Sequence, residues 1–251
     1  MRTRLGLIGV AVAAMALAAL PASASITYSA SGTGGESNLS ASAEFNISGN
    51  NLIITLTNTA STPALEPADI LMAVFFSVDG NPTLTQVSAV LNAGSSVLYP
   101  VSGNGTSPAG VVGGEWAYAQ GINAPGAADR GIGAAGFGLF GQANFPGNNL
   151  YGQTGVQGMA YGIVPASGTT GGNSPVTGSN PFIQNSVVFT LSFTGQLNLD
   201  DISDVSFQYG TDLCEPNLPS TVVPEPASLS LLGIGIALMA MRRVVKRRST
   251  T

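Results

Sequence analysis

The stretch "NLSASAEFNISGNNLIITLTN", Asn38 to Asn58, decides the fold. Leu39, Ala41, Ala43, Phe45 and Ile47 alternate strictly with Ser40, Ser42, Glu44, Asn46 and Ser48. A period of two gives a strand one buried and one solvated face. Gly49-Asn50-Asn51 supplies turn chemistry, and Leu52 to Asn58 returns as a β-branched strand, so a hairpin is predicted here.

Working outward, "ILMAVFFSV" (Ile70 to Val78) is a continuous apolar run closed by Asp79-Gly80-Asn81-Pro82, which predicts a fully buried strand. "LTQVSAVLN" (Leu84 to Asn92) fits a strand or a short helix. Toward the other end, Val187, Phe189, Leu191 and Phe193 share one face of "SVVFTLSFTG", and Val205, Phe207 and Tyr209 repeat the pattern. Strands at both ends of the body, with no long 3.6-residue periodicity, predict an all-β, antiparallel β-sandwich-like body. Between them, residues 102–181 hold 21 of the 33 glycines and six prolines. Trp116, Tyr118, Phe137, Phe140, Phe145, Tyr151 and Tyr161 are spread through this segment, so it is read as Gly-rich loops and short strands packed over the sandwich.

The two ends differ from the body. Leu5 to Leu20 is wholly apolar or glycine, preceded by Arg2 and Arg4 and followed by Pro21-Ala22-Ser23-Ala24. That is the pattern of a secretory signal helix over residues 1–24, cut after Ala24 by signal peptidase once the secretion machinery has engaged it. Ala227 to Met241 is a second apolar run, about 22 Å long as a helix at 1.5 Å per residue, and it predicts one C-terminal transmembrane helix. Arg242, Arg243, Lys246, Arg247 and Arg248 follow it as a basic tail that stays cytoplasmic, leaving the body outside the inner membrane. Between the ends, twelve acidic residues face the single basic Arg130, a net charge of −11 from Ser25 to Val223. Such a body repels nucleic acid. The domain reading is therefore a signal peptide at 1–24, a β-rich extracytoplasmic body at 25–215, a linker at 216–223 and a terminal anchor segment at 224–251.

Val223-Pro224-Glu225-Pro226, then the apolar run, then the basic cluster, resembles in order and spacing the C-terminal signal of the PEP-CTERM family. The resemblance implies recognition by an exosortase that removes the anchor near the motif, with delivery to the cell surface or extracellular matrix of an exopolysaccharide-producing Gram-negative bacterium.

The body offers little chemistry. The chain has no histidine, so Ser-His-Asp and Cys-His sites are excluded and zinc loses its commonest ligand. Cys214, the one cysteine, is a free thiol or a site of intermolecular pairing, expected inert and partly buried. "GIGAAG" (Gly131 to Gly136) matches a dinucleotide fingerprint by letter alone and carries no acidic residue at the required distance. Asp200, Asp201, Asp204 and Asp212, with Glu215, supply the oxygen ligands of a weak calcium site, and no other cofactor is expected. Glu115 with Trp116 and Tyr118 suggests glycan contact, two rings to stack on a sugar and a carboxylate to bond its hydroxyls. Three functions remain in order: a non-enzymatic structural protein of the surface or biofilm matrix, a carbohydrate-binding adhesin, and a glycoside-active enzyme using Glu115.

Overall fold

The computed structural model describes residues 25–34, 37–99, 110–140, 150, 158–172, 175–177 and 180–223. The predicted signal helix and transmembrane helix both lie outside the described residues, and no helix within them is long and apolar enough to cross a membrane.

The described chain is all-β, with helix confined to short 3₁₀ turns. Its strands are β1 (Ser25–Thr33), β2 (Asn38–Ser48), β3 (Asn51–Asn58), β4 (Leu71–Val78), β5 (Thr83–Leu91), β6 (Ser96–Leu98) and β7 (Ala117–Gln120). They continue with β8 (Arg130–Gly133), β9 (Ile163–Val164), β10 (Phe182–Gln184), β11 (Ser186–Thr194), β12 (Ile202–Tyr209), β13 (Asn217–Pro219) and β14 (Thr221–Val223). One sheet runs β14-β1-β2-β3-β11-β5, and the second runs β13-β12-β4-β9-β10-β6, with β8 paired to β4 and β7 paired to β8.

The predicted hairpin is β2 and β3, paired from Ser48↔Asn51 to Ala41↔Asn58. Its loop is the dipeptide Gly49-Asn50, and Gly49 takes the positive φ of 58° that a tight hairpin turn asks of its first residue. Leu39, Ala41, Ala43 and Phe45 are buried against the second sheet, and the Phe45 ring meets Phe76 edge-on at 5.5 Å. Burying Leu39 and Phe45 contributes about 1.5–3 kcal/mol each. One core cluster takes residues from both sheets, which makes the body a sandwich.

The apolar run of β4 has a cause beyond the sandwich. Met72, Val74 and Phe76 point into the main core, while Ala73 and Phe75 enter a second cluster with Ala117, Ala128 and Phe140 from the Gly-rich segment. The described parts of that segment are therefore packed on the body, Ala117, Ala128 and Phe140 on the outer side of β4 and Trp116, Tyr118 and Tyr161 in the main core. β8 lies so close that a Cβ on Gly131 would stand 2.5 Å from the Phe75 ring, and one on Gly133 would stand 2.7 Å from Phe140. "GIGAAG" thus marks close packing of backbone on aromatic rings.

Two expectations need correction, and one open choice is decided. The second sheet is mixed, because β9 and β10 pair in parallel after the crossover of residues 165–181. The stretch left open between strand and helix is β5, an edge strand whose register slips between Thr190 and Leu191 of its partner and leaves Val87 as the bulge. The stretch 216–223 is no linker: β13 pairs with β12 and β14 with β1, so these residues close one side of both sheets. Their short alternating pattern is too brief to read as strands, and only the two waiting edges make them so.

Candidate functional site: the C-terminal strap

β12 ends in a turn pinned from inside. The buried Gln208 donates from Nε2 to the carbonyls of Tyr209 (2.9 Å), Asp212 (3.0 Å) and Glu215 (3.1 Å). The Glu215 carboxylate accepts from the backbone N–H of Asp212 at 2.8 Å and from that of Thr211, while Asp212 accepts from Cys214 N at 2.8 Å. This last contact holds the Asp212 carboxyl below its usual range, and in return the bond to Asp212 and its charge push the Cys214 thiol up. Cys214 is exposed, not partly buried as expected, because the turn projects it outward.

Leaving the turn, β13 lies on β12, and a Cβ on Gly32 would stand 2.7 Å from Leu218. Ser220 then fastens the chain, donating from both N (2.9 Å) and Oγ (2.6 Å) to the Val205 carbonyl. Beyond Ser220 the chain crosses to the other sheet, where Thr221 sits opposite Ser29, Val222 opposite Tyr28 and Val223 opposite Thr27. All three β14 residues are exposed. The next residue, Pro224, has no N–H to give to the ladder. Val223 is the one predicted motif residue in view. Pro224, Glu225, Pro226 and the tail residues Arg242, Arg243, Lys246, Arg247 and Arg248 lie outside the described residues.

The acidic candidates do not converge. Asp201 is occupied at the start of β12, accepting from the backbone N–H (2.8 Å) and side chain (3.1 Å) of Asn198. Asp204 sits on a β12 bulge with φ of 51°. Asp212 lies in the turn past the end of the strand, and the five residue steps of β12 from Asp204 to Tyr209 alone span about 16 Å at 3.3 Å per residue. Among the described residues, no three carboxylate, thiol or imidazole groups are placed to hold a metal ion. Sequence proximity across a strand is not proximity in space.

Glu115, Trp116 and Tyr118 are all buried, which removes them as an open sugar platform. Glu115 ends a 3₁₀ turn, Gly113–Glu115, and its charge adds to burial in raising the Tyr161 phenol. The Trp116 ring is packed 4.9 Å from Phe189 and fully enclosed, with Nε1 lacking a hydrogen-bond partner. Tyr118 donates to Gln120 Oε1 at 3.1 Å, and burial pushes its phenol up to about 12 despite the opposing effect of nearby Arg130. These rings plug the Gly-rich segment into the sandwich, an inward orientation that a local motif does not encode.

Arg130 carries no motif and was not singled out for a role by the sequence, yet it organises this region. Its guanidinium is fully buried, donating to Asn81 Oδ1 (2.8 Å) and the Pro82 carbonyl (3.2 Å), with Asp129 3.3 Å from Nε. It ties the turn after β4 to β8. Its standing as the lone basic residue in an acidic body is the signal that could have found it.

No curated protein and no solved structure matches the chain. Residues 222–248 match the family model of the PEP-CTERM protein-sorting motif, so the chain carries that motif, which implies exosortase-dependent sorting to the cell surface.

Proposed function

We propose that this protein is an exported, non-enzymatic structural component of the cell surface or extracellular matrix, associated with exopolysaccharide after exosortase processing. The observation that carries the reading is the sorting motif at 222–248, which starts inside the last strand of a folded body. The net charge of −11 between Ser25 and Val223 supports a role among hydrated polymers, through solubility and bridging by divalent ions. The lack of histidine argues against the commonest hydrolytic centres. Before processing, Leu5–Leu20 and Ala227–Met241 would hold the chain at the inner membrane, and signal peptidase would free Ser25.

The test is the intact mass of the protein recovered from the surface fraction of its native cells. It should run from Ser25 to within Pro224–Ala227, and the triple change Pro224→Ala, Glu225→Ala, Pro226→Ala should leave a full-length, membrane-held chain. A surface mass ending at Thr251 would refute sorting. Release of the processed protein into the medium when exopolysaccharide synthesis is abolished would support the matrix association, and retention would refute it.

A further inference from the structure

We propose that β14 is a releasable strap: it must leave β1 before exosortase can act, and its pairing sets the rate of sorting. The inference rests on the sorting reading above and adds to it a control device in the fold. The first observation is distance. Val223 is paired to Thr27, and the apolar run begins at Ala227, so three residues separate the folded edge from that run. Fully extended they reach about 10 Å. A folded body held that close to the bonds of the motif obstructs an enzyme that works at the membrane.

The second observation is where the hold is strong and where it is weak. Ser220 is fixed by two bonds to the Val205 carbonyl, and Leu218 packs on Gly32. From Thr221 onward only ladder bonds remain, since no β14 side chain enters the core and Val222 and Val223 are among the most exposed large apolar residues described. Ser220 is therefore a hinge. Releasing Thr221–Val223 about doubles the extended reach between the body and the apolar run while leaving the sandwich core untouched. Once the anchor is gone, the same three residues can return to β1 and cover its Thr27–Ser29 edge, which would otherwise invite strand addition.

The test locks the strap without touching residues 222–248. In a Cys214→Ser background, Ser29→Cys with Thr221→Cys places two thiols on directly opposed residues, whose Cα separation of about 4.5–5.5 Å suits a disulfide. Loss of the C-terminal segment is followed by pulse-chase in cells containing exosortase. The oxidised clamp should be processed at least ten-fold more slowly than the wild type, and reduction should restore the wild-type rate, which also shows that the variant folds. A clamped chain that loses its segment as fast as the wild type overturns the strap and leaves the sorting reading standing. A wild-type chain that keeps the segment overturns both.

Discussion

Single residues in this protein act mainly by what they fill. Trp116 packs on Phe189 in the interior, so Trp116→Ala should cost about 3–5 kcal/mol in urea unfolding, the usual range for deleting a large buried ring. A loss under 1 kcal/mol would mean that the ring is not a core element. Cys214 is governed by its neighbour. Because the Asp212 carboxylate pushes the thiol up, Asp212→Asn should lower it and speed alkylation by iodoacetamide at pH 8. Equal rates would show that the carboxylate does not control this thiol.

At the scale of elements, the decisive contact is β8 on β4. Gly133 has no room for a methyl group beside Phe140 and Ala73, so Gly133→Ala should destabilise the protein by about 1–3 kcal/mol through overpacking. Differential scanning calorimetry would register the loss, and an unchanged melting temperature would contradict the close approach. Much of this level was legible in the chain: the β2–β3 hairpin, β4 and β11 follow from period and turn chemistry. Legibility fails for β13 and β14, which are three residues each and owe their form to the edges they meet. It fails also for β9 and β10, whose parallel pairing depends on the path of a crossover.

Across the described residues taken as a whole, four phenols are buried as neutral acids. Tyr118 is pushed up to about 12, and Tyr28, Tyr161 and Tyr209 are raised as well, with burial the leading cause in each. A folded-state pKa above the unfolded value of 10.0 means that stability is intact below pH 10 and is lost as pH climbs from there toward 12. The body should therefore unfold cooperatively in alkali, with phenolate absorbance rising together with the loss of the β-type circular dichroism signal. Phenolate appearing well before unfolding would show that these hydroxyls are open to solvent.

The sequence by itself determined the β class, the main strands, the charge asymmetry and the sorting motif, because alternation, turn residues and a linear signal are local properties. The tertiary structure alone decided that Glu115, Trp116 and Tyr118 face inward, that Asp200, Asp201, Asp204 and Asp212 do not converge on a metal site, and that the stretch before Pro224 is a strap across both sheets. Each of these depends on which distant residues meet. Burial and convergence are set by contacts between segments far apart in the chain, and no local pattern carries them.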